Sequence, residues 1–170
     1  SLNVAVGHLA GAAVTTGTQN TFIGGLAGDA ATTSVENVAV GYQALSADTL
    51  GSKSVAVGRM ALLSQNLTTA TDVYNVAVGH NAGQQITTGT NNVLVGGLVG
   101  DNALSADTLG SRSTAIGRSA LSSQNFSTAT DSNNTAVGFN AGTSVTTGVQ
   151  NTIVGANAGD ALTSGNSNVA

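Results

Sequence analysis

One five-residue pattern recurs nine times along this chain of 170 residues: Asn or Ser, then Val or Thr, a small or apolar residue, Val or Ile, and Gly. The copies occupy 3–7, 20–24, 37–41, 54–58, 75–79, 92–96, 113–117, 134–138 and 151–155, and a tenth opens at Asn168. Most copies open seventeen positions after the last (3 to 20, 20 to 37), and three intervals are longer by four (54 to 75, 92 to 113, 113 to 134). A fixed period of this length means one small unit stacked on itself, without a single compact core.

Each pentad reads as a short β-strand closed by a glycine turn. The β-branched column before the glycine (Val6, Ile23, Val40, Val57, Val78, Val95, Ile116, Val137, Val154) shares a strand face with the Val or Thr two residues earlier, because side chains alternate. That face is expected to line the interior of a coil. The middle residue points the other way and is apolar too, from Ala39 and Ala56 to the larger Phe22, Leu94 and Ile153. A strand apolar on both faces needs cover on both. A second copy of the chain is the simplest cover, so Phe22, Leu94 and Ile153 are the candidate interchain contacts.

The glycines themselves (Gly7, Gly24, Gly41, Gly58, Gly79, Gly96, Gly117, Gly138, Gly155) answer a backbone requirement, a positive φ or a close approach. Beyond each lies a near-constant Ala, with Val99 the exception, then a Thr-rich stretch read as a second short strand and a turn. Seventeen residues at ~3.3 Å each give a perimeter of roughly 55 Å, which suits a narrow coil. The expected fold is therefore all-β: a parallel β-solenoid (a β-roll or β-helix) of about nine coils, running unbroken over 1–170 as an excerpt of a longer fibre protein.

Composition supports order and removes several function classes. Polar, Gly-rich chains are often disordered, but disorder needs no fixed register. Proline is absent, as a stack of strands bonded on both sides requires. Without cysteine there is neither disulfide stapling nor a thiolate metal site. The net charge is −4 and no basic patch with interleaved aromatics occurs, which argues against nucleic acid; no long apolar run predicts membrane insertion.

The three longer repeats open at Ser54, Asn92 and Ser113. In two of them the extra residues fall in related stretches, 65–72 and 124–131. Insertions in solenoids become loops on one face, so Asn66, Leu67, Asp72, Asn125, Phe126 and Asp131 are the candidate exposed loop positions. The run Ser46–Ser52 recurs unchanged as Ser105–Ser111, the mark of a duplicated block.

The residues able to carry chemistry mostly read as structure. The Asn column opening the repeats is expected to form a side-chain ladder along the stack. Asp29, Asp101 and Asp160 each fall five residues past a pentad glycine, at an equivalent turn. His8 and His80 follow their glycines in a variable column shared with Tyr42, Arg59, Arg118 and Phe139; four coils, ~19 Å, keep the two histidines from sharing one ion. No catalytic residue, metal or cofactor is expected. Lys53 and Arg112, and Arg59 and Arg118, occupy equivalent coils, with Asp48 and Asp107 as nearby partners for exposed pairs. The adjacent threonines (Thr15, Thr16, Thr32, Thr33, Thr87, Thr88, Thr146, Thr147) suit strands and turns, and also resemble the Thr arrays of ice-binding solenoids.

The runs Ser54-Val55-Ala56-Val57-Gly58, Ser113-Thr114-Ala115-Ile116-Gly117 and Asn134-Thr135-Ala136-Val137-Gly138 resemble the repeats of YadA-type trimeric autotransporter adhesin heads. They resemble equally the repeats of phage and large-virus tail fibres. The resemblance spans the whole chain and implies a left-handed parallel β-roll, a side-by-side homotrimer, and an extracellular place on a virion or bacterial surface. The implied function is a structural or adhesive shaft that partners itself and a cell-surface glycan or protein receptor. An ice-binding solenoid and a polysaccharide-degrading tailspike are the alternatives.

Overall fold

The computed structural model describes residues 2–97 and 107–170. Val99, Asp101 and the first two residues of the second Ser-Ala-Asp-Thr-Leu-Gly-Ser run lie outside them. The described residues are all-β, without a helix. Strands follow in chain order as β1 Val4–Val6, β2 Thr21–Ile23, β3 Val38–Val40, β4 Gly51–Ser52, β5 Val55–Val57, β6 Thr71–Asp72 and β7 Val76–Val78, then β8 Val93–Val95, β9 Gly110–Ser111, β10 Thr114–Ile116, β11 Thr130–Asp131, β12 Thr135–Val137 and β13 Thr152–Val154.

The nine three-residue strands form one parallel sheet, in the order β1-β2-β3-β5-β7-β8-β10-β12-β13. Each pentad lies directly over the next: Ala5 pairs with Phe22, Phe22 with Ala39, and Ala39 with Ala56. The chain is a parallel β-solenoid of about eight turns. Eight rises of ~4.8 Å make the stack about 38 Å tall.

In the described residues the return half of a coil is not a second strand of the expected kind. It is a run of tight turns, in which Ala10, Ala12 and Val14 donate to the carbonyls of Gly7, Leu9 and Gly11. The same segment also bonds to the coil beyond: Gly11, Ala13 and Thr15 donate to Ala27, Asp29 and Thr32 at 2.9–3.0 Å. Among the described residues only the two-residue pairs β4–β6 and β9–β11 add strand there. Corners are made by residues in the left-handed conformation, including non-glycines such as Leu9, Glu36, Leu45 and Tyr74 at φ 54–59°. That conformation costs roughly 1–2 kcal/mol for a residue with a Cβ; it persists because the bonds from neighbouring coils fix the backbone on both sides.

The strand faces are the reverse of the sequence expectation. The middle column is inside: Phe22, Ala39, Ala56, Ala77, Leu94, Ala115, Ala136 and Ile153 are fully buried in this one chain. Phe22, Leu94 and Ile153 are thus core residues and not interchain contacts. The β-branched column faces out, with Val6, Ile23, Val78, Val95, Ile116 and Val154 exposed and Val40, Val57 and Val137 half-buried. Parity explains the inversion. The opening Asn has the same parity as the middle residue, and its amide must reach carbonyls inside the coil. The narrow lumen, moreover, has room for about one large side chain per coil.

That filling rule is visible residue by residue. Phe22 fills its coil, and a Cβ on Gly28 would sit 2.5 Å from its ring. Likewise a Cβ on Gly83 would meet Leu94 at 2.6 Å. Where the middle residue is Ala39, Ala56 or Ala115, the position of Gly28 is held by Leu45, Leu62 or Leu121, all buried. Interiors are close-packed, so large and small alternate between these columns, and where both are small, at Ala77 with Gly83 and Ala136 with Gly142, the buried Ile86 and Val145 fill the lumen.

The pentad glycines carry φ of 126–146°, open to glycine and strained for other residues. They also stack. A Cβ on Gly58 would lie 2.3 Å from the carbonyl oxygen of Gly79, and one on Gly24 2.5 Å from that of Gly41.

Candidate functional site

The described residues form no cavity and no cluster of His, Asp and Glu able to hold a metal. The surface with functional potential is the outer face of the sheet. Two columns line it, the Val/Thr column from Val4 to Thr152 and the Val/Ile column from Val6 to Val154, in unbroken register over nine strands. Its aliphatic residues are 36–60% exposed where they are most open, at Val4, Val6, Ile23, Val78, Val93, Val95, Ile116 and Val154.

Charged and aromatic side chains flank this strip. On the leading edge, just before each pentad, Lys53 Nζ lies 2.7 Å from Asp72 Oδ2 and 5.4 Å from the Tyr74 ring centre. Tyr74 also donates its hydroxyl to Asp72 at 3.3 Å. The hydrogen bond from Lys53 holds the Asp72 carboxyl below the usual range, and the same bond pushes the Lys53 ammonium up. In the second copy of the duplicated block, Arg112 repeats the pair with Asp131 at 2.7 Å. The cations therefore pair with the loop acids and not with Asp48 and Asp107. On the trailing edge, Arg59 stacks on Tyr42 and Arg118 on Phe139.

The insertion stretches divide. Asn66, Asp72, Asn125 and Asp131 are exposed, whereas Leu67 and Phe126 tuck inward at 6% exposure. Apolar side chains at a loop base anchor it, and these two do so at equivalent places.

Gln65 and Gln124 head the same stretches but are fully buried. Gln65 Nε2 donates to Asp48 Oδ2 at 2.6 Å and to Ser54 Oγ at 3.1 Å, and its Oε1 accepts from Asn75 Nδ2 at 2.9 Å. Asp48 Oδ1 also accepts from the Gly51 backbone. Gln124 repeats this with Asp107, Ser113 and Asn134. Elsewhere the opening Asn fills this place: Asn37 Nδ2 donates to Gly51 O at 2.8 Å, and its Oδ1 accepts from the backbone of Ser54 at 2.8 Å. The ladder thus runs mainly from amide to backbone, with amide-to-amide steps such as Asn168 to Asn151. Sequence reasoning passed over the glutamines, although a signal existed. Each stands eleven positions past a pentad that opens with Ser instead of Asn.

The paired threonines divide: the second of each pair (Thr16, Thr33, Thr88, Thr147) is exposed, and the first is bonded. The hydroxyls of Thr15, Thr32, Thr87 and Thr146 donate to backbone carbonyls one coil on, at 2.9–3.3 Å. His8 and His80 are exposed. Asp29 and Asp160 stand seven coils apart, about 34 Å, and the Asp29 Oδ1 is buried without a partner.

Fold and surface together define a β-solenoid repeat protein whose outer sheet face carries an unbroken Val/Ile column. Compared with protein-family models, with curated proteins and with solved structures, the chain matches none.

Proposed function

We propose that this chain is a structural and adhesive fibre segment, a rigid shaft or head whose sheet face packs on sister copies as a side-by-side homotrimer. The observation that carries the reading is the outward strip, aliphatic along the whole Val/Ile column and interrupted by Thr21, Thr114, Thr135 and Thr152 in the other. It stands about 38 Å tall and its two columns lie ~6.6 Å apart, a strip of roughly 250 Å². A strip of this area is no larger than the biggest apolar patch of an ordinary monomer, which is itself often functional; its regular register, more than its area, supports the reading. The occupant best fitted to ridges repeating every ~4.8 Å is a surface with the same repeat, which a second rod supplies. The left-handed winding and the extracellular setting, on a virion tail fibre or a bacterial surface, belong to the same proposal and draw on the likeness of the pentads.

The ice-binding reading draws less support, because the first threonine of each adjacent pair (Thr15, Thr32, Thr87, Thr146) spends its hydroxyl on the backbone ladder and only the second is left to form a face. A tailspike hydrolase needs two carboxylates about 5–9.5 Å apart, and Asp29 and Asp160 are far beyond that.

Sedimentation equilibrium tests the proposal. The wild type is expected at three times the chain mass. Val57→Asp with Val78→Asp, both outward, should yield a monomer that keeps its β circular dichroism. Ala56→Asp, which buries a charge in the lumen, should unfold the segment. A wild type that stays monomeric at high micromolar concentration would overturn the reading.

A further inference from the structure

The residue after each pentad glycine forms a column along the trailing edge of the sheet. Its nine positions gather both histidines of the chain, His8 and His80, two of its four cations, Arg59 and Arg118, and the aromatics Tyr42 and Phe139. None of the eight acids falls in it. In a chain of net charge −4, this edge gathers cations and aromatics without an acid of its own.

The strip is organised in repeated pairs. The Arg59 guanidinium carbon lies 5.8 Å from the Tyr42 ring centre, and its Nη1 is 3.3 Å from His80 Nε2. Arg118 lies 5.3 Å over the Phe139 ring. Arg59 with His80, and Arg118 with Phe139, hold the same places in the two copies of the duplicated block: an arginine and, one coil on, a ring. Three coils separate the two arginines, about 14 Å along the rod. All six side chains of the column are exposed.

We propose that this edge binds an anionic polysaccharide, a sugar chain bearing carboxylate or sulfate groups, laid along the rod. A guanidinium held against a ring is oriented before binding, and its planar fork matches an oxyanion better than an ammonium does. Tyr42 and Phe139 offer flat apolar surface to the faces of sugar rings. The described residues form no cavity, so the fitting ligand is an extended polymer engaging several shallow subsites at once. Charge density separates the candidates. Duplex nucleic acid carries a charge every ~1.7 Å, far denser than two arginines about 14 Å apart; a polysaccharide charged once per sugar or two is the closer match. The proposal stands on this edge alone and holds whether or not the sheet face is an interface.

The test is affinity electrophoresis and calorimetry of the purified protein at low salt, with chondroitin sulfate, polygalacturonate and neutral dextran as probes. Binding to either charged polymer, and not to dextran, is expected; polygalacturonate bears carboxylates alone and chondroitin sulfate bears both groups, so binding to the latter alone assigns the contact to sulfate. Arg59→Gln with Arg118→Gln should weaken binding by roughly ten-fold or more, as multivalent contacts are lost together. Lys53→Gln with Arg112→Gln, on the opposite edge, should change it less than about two-fold. Circular dichroism checks that both variants stay folded. The proposal is overturned by no binding to either charged polymer, by equal losses in both variants, or by tighter binding to a single-stranded oligonucleotide.

Discussion

Replacing Gly58 by alanine isolates what stacking demands of the pentad glycines. Two effects add. At φ 137° a residue with a Cβ is strained by about 1–3 kcal/mol. The new methyl would also lie 2.3 Å from the carbonyl oxygen of Gly79 and 2.6 Å from its carbon, and overpacking of this kind costs about another 1–3 kcal/mol. Together they put the loss at about 2–6 kcal/mol, several degrees or more in melting temperature. Gly25, which follows the pentad glycine Gly24, is the control: its φ is not in the left-handed region, and a Cβ there meets only the Tyr42 ring, at 3.5 Å. Gly25→Ala should therefore change stability by less than about 0.5 kcal/mol. Gly7→Ala, where a Cβ meets Gly24 carbonyl atoms at 2.7 Å, should resemble Gly58→Ala. The assay is thermal and urea melting followed by circular dichroism. Losses at Gly58 and Gly7 no larger than at Gly25 would refute the reasoning.

Asn75→Ala removes donors to Gln65 Oε1 and Gly89 O and the acceptor for the Asn92 backbone, all buried. Unsatisfied buried groups cost about 1–3 kcal/mol each, so a loss of roughly 2–5 kcal/mol is expected after relaxation, read from the urea midpoint. The Asp72 carboxyl should titrate below free aspartate by carbon-13 NMR and move back up in Lys53→Met. Its folded value is depressed, so the pair is intact above the ordinary carboxylate range and is lost as pH falls through the lowered value. At a fully exposed site this change is local.

The period, the parallel stacking and the glycine requirement were legible in the sequence because each follows from one residue type at fixed spacing. The sidedness of the strand was not. Hydrophobicity alone places Val57 inside and Ala56 outside; the deciding residue is the polar Asn75 or Ser54 at the same parity as the alanine, whose hydrogen-bond needs outrank a few methyl groups. The turns were hidden because left-handed leucines such as Leu45 and Leu62 carry no local signature and are imposed by neighbouring coils. At the surface, the Arg59 and Arg118 column was visible as a list of unlike side chains. Only the structure shows it as one edge.

The Ser-for-Asn exchange, answered by Gln65 and Gln124, has an evolutionary corollary. Four extra residues enter a coil without disturbing the coils above and below, because a longer amide reaches inward from the enlarged loop to occupy the vacated place. A lineage equipped with that exchange can try out new outward loops one storey at a time. The duplicated block then passes a successful storey on intact, so ornament on the outside can diversify while the scaffold beneath keeps its dimensions.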